Sequence, residues 1–217
     1  MTAAMVDSVG SSCAGGVGGA GSADHGDPDA DAPTVWDRLL GHWRDMDAPE
    51  GWRAEISGGR ITLVPPPGYL HNRILALLNR QLARALPDDL LVYQTQGILI
   101  PALERLYVPD LLVLPAGRGD EGGDPCEAPD VLLAVEVTSK GNAGDERQGK
   151  AAGYALGEVP AYLLIDRFDA AGPTVTLFTK PERGVYASRL RTPFGEAVEL
   201  PKPFSVKVDT AEFPTGE

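Results

Sequence analysis

Positive charge is scarce in this chain. It has 19 Lys and Arg against 31 Asp and Glu, a formal net charge of −12, and nothing basic precedes Arg38. Proteins that coat nucleic acid regardless of sequence draw their affinity from Lys and Arg that release counterions from phosphate. That class is excluded, although a local basic groove is not. The opening Met-Thr-Ala-Ala-Met lacks the basic start and apolar stretch of a secretory signal, so the cytoplasm is the expected location. Long apolar runs are missing too. Leu111–Pro115 and Val131–Val135 are among the longest, far below the roughly 18 residues of a bilayer span, and no membrane association is expected. Cysteine is limited to Cys13 and Cys126, in a Gly/Ala-rich tail and a Gly/Asp-rich loop, which gives no basis for a structural disulfide or a zinc site.

What is present suits one globular domain: 217 residues, 43% hydrophobic and 23% charged. Residues 1–33 hold few large apolar side chains and are expected to be a disordered Gly/Ala/Asp-rich tail. They supply −5 of the −12, leaving −7 for the domain expected over 34–217. Thr34 is placed to cap a helix running toward Pro49 with Val35, Leu39, Leu40 and Trp43 on one face. Arg53–Ser57 and Arg60–Val64 read as a β-hairpin around Gly58-Gly59. Leu70, Ile74, Leu77, Leu78, Leu82 and Leu86 form a helical stripe bounded by Gly68 and Pro87.

The period then changes. Leu90–Ile100, Leu106–Leu114 and Val131–Thr138 read as central strands, with Ala116–Asp130 as a mobile loop. A helix from about Ala143 to Leu156 leads to a buried strand at Pro160–Asp166, an order that favours a parallel crossover. Thr174–Thr179 and Val185–Leu190 follow as a hairpin, with edge pieces at Glu196–Leu200 and Phe204–Val208. No internal repeat is visible. The fold class is α/β, a mixed β-sheet flanked by helices.

Two acidic residues stand inside apolar strands: Asp110 in Tyr107–Leu114 and Glu136 in Leu132–Ser139. An unpaired buried carboxylate costs several kcal/mol, so each must find a cation, a set of hydrogen bonds or a metal. The plain alternative is a strand-end residue leaning into water or pairing with a structural Arg. On neighbouring strands the two could converge on a hard cation such as Mg²⁺, with a main-chain carbonyl and waters completing its shell. Alternation puts Thr138 on the face of Glu136 and leaves the Val137 carbonyl near the site. Arg147, Lys150 and Tyr154 share one helical face, a cationic stripe suited to steadying phosphate charge or a solvated helix surface.

These residues occur in an order that resembles the Uma-two family of proposed endonucleases, within the PD-(D/E)XK restriction-endonuclease-like superfamily. The resemblance rests on Val108-Pro109-Asp110, Ala134–Ser139, Asp145 with Lys150 and Tyr154, and Val159–Asp166. Upstream it includes Ala54-Glu55-Ile56 with Gly59, and Pro67 with His71. It covers about Trp52 to Asp166, and the ordered set is far more specific than any one piece. The resemblance implies a restriction-endonuclease-like core in which Asp110, Glu136 and the Val137 carbonyl hold Mg²⁺, with Mn²⁺ as a substitute, and a lysine assists the attacking water. Thr138 stands where the superfamily's Glu-x-Lys pattern has lysine, and the following helix offers Lys150 in its place, with Lys140 the nearest rival. Glu55 is an accessory acid near the metal or an exposed hairpin residue. His71 touches substrate or caps its helix, the structural role being favoured. Tyr154 is a packing residue with a satisfied hydroxyl or an accessory to catalysis.

The expected function is thus Mg²⁺-dependent cleavage of nucleic acid, DNA first, with a homodimer by analogy to nucleases that cut both strands. The alternatives are a nuclease-like module that binds DNA or a partner without cutting, and a hydrolase of small phosphate esters. Lys150 is expected to serve turnover rather than folding.

Overall fold

Residues 32–121, 125–139 and 149–215 are described in the computed structural model of the chain. The expected tail lies outside them through position 31, as do Lys140, Asp145, Arg147 and the first turns of the helix expected from Ala143. Thr34 opens helix α1 (Val35–Arg44) through a reciprocal capping box, its hydroxyl accepting from the Asp37 N–H while the Asp37 carboxylate accepts from the Thr34 N–H. The helix stops at Arg44, short of Pro49, where the Asp45 N–H turns back to the Gly41 carbonyl. The hairpin of β1 (Arg53–Ser57) and β2 (Arg60–Val64) forms as expected, with Gly58 and Gly59 both at positive φ. In α2 (Tyr69–Ala85), Ile74, Leu78 and Leu82 recur every four residues and are fully buried.

The segments 90–100 and 106–114 each divide into two strands rather than one. The first gives β3 (Leu90–Gln94) and β4 (Ile98–Ile100), the second β5 (Arg105–Tyr107) and β6 (Leu111–Pro115). β3 pairs antiparallel with β6 and β4 with β5, so the four are a long hairpin bent in both arms. The bends have local causes. Thr95 takes φ 58, and a Cβ on Gly97 would lie 2.9 Å from the Pro125 side chain. In the other arm Pro109 has no N–H to continue a ladder. The expected loop 116–130 also holds more structure than anticipated. 3₁₀ turns at Ala116–Glu121 and Ala128–Asp130 flank β7 (Cys126–Glu127), which pairs parallel with β4.

The remaining strands are β8 (Leu133–Val137), β9 (Ala161–Asp166), β10 (Thr174–Glu182), β11 (Val185–Pro193), β12 (Ala197–Glu199) and β13 (Lys207–Asp209). One sheet runs β2-β1-β5-β4-β7 and a second runs β11-β10-β9-β8-β6-β3. Among the described residues β12 and β13 pair only with each other, so these expected edge pieces are a separate ribbon. β8 and β9 are parallel, as the crossover argument requires, with helix α3 (Ala151–Leu156) in the segment between them.

Alternation along the second sheet separates two cores. Leu111, Val113, Leu133, Val135 and Leu163 pack with α2, whereas Leu112, Leu114, Ala134, Tyr162 and Leu164 pack with Tyr154 of α3. Glu136, two residues after Ala134, therefore faces α3. Leu78→Ala should cost about 2–5 kcal/mol, because it opens a cavity under α2. Leu63→Ala, on an exposed stretch of β2, should change stability by no more than about 0.5 kcal/mol. Urea unfolding of the two variants beside the parent checks both.

Candidate active site

Val108-Pro109-Asp110 carries the chain from β5 in one sheet to β6 in the other, and β1 holds that step from the side. Arg53 and Glu55, two apart on β1, point the same way. Glu55 Oε1 accepts the Val108 N–H at 3.0 Å. Arg53 Nη1 donates to the Val108 carbonyl at 3.2 Å and to Asp110 Oδ1 at 2.8 Å. Asp110 is buried, and its Oδ2 accepts the Val137 N–H at 2.8 Å, so β8 fixes the carboxylate from the far side. His71 Nε2, also buried, lies 3.1 Å from Asp110 Oδ1 without hydrogen-bond alignment. Burial pushes the Asp110 carboxyl up, but His71, Arg53 and the Val137 N–H outweigh it and hold it below its ordinary value.

Glu136 is 1% exposed. Its Oε1 accepts from Lys150 Nζ and from Tyr154 Oη, each at 2.8 Å. Lys150 also donates to Glu55 Oε1 at 2.9 Å. Lys150 and Tyr154 are one helical turn apart, which lets both reach the same oxygen. Burial works against the Lys150 ammonium, yet Glu136 and Glu55 together hold its pKa well above the ordinary lysine value. Tyr154 is pushed up by burial and by the same two carboxylates, so it stays a neutral donor. Gly153 makes this approach possible: a Cβ there would lie 2.6 Å from the Tyr107 ring, which packs edge-on against Tyr154 at 5.3 Å and faces Lys150 Nζ at 5.6 Å.

Asp110, Glu136, Lys150, Tyr154, Glu55 and His71 thus gather in one cluster, and Val137 contributes its N–H. Glu55 is an integral member rather than a water-facing hairpin residue. His71 does not cap α2, whose Gly68 cap has no side-chain bond. It is turned to Asp110 instead. Thr138 takes no part: its hydroxyl donates to Asp166 Oδ1 at 3.1 Å and accepts the Arg167 N–H, tying β8 to the end of β9. Arg147, Asp145 and Lys140 lie outside the described residues. Sequence reading missed Arg53, although its spacing of two from Glu55 on a recognised hairpin was the available signal.

The donor chemistry fits a hard divalent cation, since Asp110 and Glu136 offer buried carboxylate oxygens on adjacent strands. Among the described residues no three His, Cys, Asp or Glu converge as a ready-made metal cluster. Arg53 and Lys150 sit on the carboxylates, so a metal ion must compete with them.

Two sheets joined at a Pro-Asp step, with buried carboxylates and a lysine at the join, give the α/β fold of a nuclease-like protein. The chain belongs to the Uma2 family, whose model, described as "Putative restriction endonuclease", matches residues 41–211. Among solved structures it resembles one titled a putative nuclease belonging to DUF820 from Anabaena variabilis ATCC 29413. The two share 15% identity over 75% of this chain and 89% of the other, with a TM-score of 0.54, a likeness of fold. No curated protein matches the chain. The family resemblance and the restriction-endonuclease-like fold class are borne out.

The geometry revises the expectation that Lys150 is dispensable for folding. Its side chain is 14% exposed and bridges two carboxylates that repel each other once it is gone. Lys150→Ala should therefore lose about 3 kcal/mol of stability, the scale of stripping one partner from a buried ion pair. Denaturant unfolding in EDTA checks this, and a parent-like midpoint would show that Glu55 and Glu136 find other partners.

Proposed function

We propose that the chain is a divalent-metal-dependent endonuclease that hydrolyses phosphodiester bonds in nucleic acid, with DNA as its substrate. The observation that carries this reading is Lys150 held between Glu136 and Glu55, with Asp110 fixed on the adjacent strand. Asp110 and Glu136, with the Val137 carbonyl, would hold Mg²⁺ or Mn²⁺, which would lower the pKa of a bound water and offset phosphate charge.

The chain's own residues do the rest. Arg53 and the Val137 N–H fix the Asp110 carboxylate, and Tyr154 fixes that of Glu136. Lys150 stays protonated and so does not take the proton from water. Its work is to orient the attacking water and to stabilise negative charge on the phosphate in the transition state. Glu55 positions Lys150 and stays off the substrate.

The test is cleavage of supercoiled DNA, linear duplex, single-stranded DNA and RNA with Mg²⁺, Mn²⁺ or EDTA. Parent protein should cut only with metal, and Asp110→Asn or Glu136→Gln should remove both cutting and calorimetric Mn²⁺ binding. Lys150→Gln should bind Mn²⁺ and lose on the order of a hundredfold in rate, as for removal of one electrostatic stabiliser. A second reading has one observation in its favour: Asp110 and Glu136 are already engaged by Arg53 and Lys150. Binding of DNA without cutting under any metal condition would establish that non-catalytic module instead.

A further inference from the structure

An open cavity of about 380 Å³ is walled by Trp43, Met46, Trp52, Arg53 and Val108. The size is that of a small-molecule site and suits one flat ring system with its sugar. Trp43 spends its single donor on the Ala54 carbonyl at 2.7 Å, which leaves the indole as a fixed apolar wall. Trp52 is 40% exposed. It is positioned by Gly51, which has φ 80 and sits so near Pro66 that a Cβ would come within 3.2 Å.

Arg53 and Val108 belong to both places. They line the cavity, and the Arg53 guanidinium contacts the Val108 carbonyl and Asp110 Oδ1. Two residues therefore connect the tryptophan-walled cavity with the carboxylate cluster. The shared Arg53 and Val108 make the cavity a neighbour of the step that carries Asp110.

Charge argues for the same occupant. A net charge of −12 works against affinity for a polyanion drawn from counterion release. Stacking of bases on aromatic rings supplies affinity without positive charge and tolerates any sequence. A base inside a duplex is already stacked and paired, so only an unpaired or extruded base can enter. Resting on the proposed nuclease reading, we propose that this cavity takes one unpaired nucleobase of the bound strand, which makes single-stranded or locally opened nucleic acid the substrate class.

The test measures binding in EDTA, so that it is independent of cleavage. Fluorescently labelled dT10, a decamer of abasic tetrahydrofuran residues with the same phosphates, and a ten-base-pair duplex are titrated with the full chain. The parent should bind dT10 on the order of tenfold or more tighter than either other probe, the scale of one stacked base. Its dT10 affinity should fall only shallowly with salt. Trp52→Ala should bring dT10 down to the abasic level without changing the abasic affinity, and Trp52→Phe should retain most of the difference. Equal affinity for dT10 and the abasic decamer overturns the proposal, as does no measurable binding of dT10 or a Trp52→Ala variant that binds dT10 like the parent. Base-dependent binding by a chain that never cuts upholds the pocket and removes the nuclease reading. Metal-dependent cutting indifferent to Trp52 does the reverse.

Discussion

Arg53 and Glu55 on β1 grip the three-residue step by which the chain leaves one sheet and enters the next. Pro109 leaves that step short of a donor, and a ladder cannot continue through it. The Val108 N–H and carbonyl would be orphaned inside the protein if β1 did not supply Glu55 and Arg53. The same two side chains then extend past the backbone to Asp110 and Lys150. The bend in the long hairpin and the carboxylate cluster thus have one cause.

Much of the scaffold was legible because its period is unbroken. The hairpin at Gly58-Gly59, the Ile74, Leu78 and Leu82 stripe, and the parallel pair β8 and β9 follow from spacing alone. The divided strands were not read from the sequence, although Gln94-Thr95-Gln96-Gly97 and Pro109-Asp110 interrupt the apolar runs at the two bends. Asp110 and Glu136 were conspicuous as charges in apolar strands. Their partners were less so: Lys150 meets Glu55 across 95 residues, and no local pattern reports such a pairing. Arg53 was hidden because an arginine opening an exterior-looking hairpin is ordinary until its target is known.

The exchange of lysine for Thr138 also has a physical account. Thr138 is fully buried and closes the end of β8 onto Asp166, so this position is spent on tying two strands together. The α3 side offers a better seat, because Gly153 lets the helix close on Tyr107 and brings Lys150 between two carboxylates. The cation delivered from the helix is held from both sides, by Glu136 and by Glu55.

Those two carboxylates come from different sheets, Glu55 from β1 and Glu136 from β8, and Arg53 makes the matching tie from β1 to Asp110. Two cations thus link the sheets at the point where a substrate phosphate would approach. Each pair costs desolvation and returns it through geometry, so neither is a large net source of stability while intact. Three carboxylates, two permanent cations and the His71 imidazole meet here. A metal ion held by Asp110 and Glu136 would share these oxygens with Arg53 and Lys150. On the proposed reading the same oxygens would serve structure and chemistry, and occupancy of the site would be linked to coupling between the sheets.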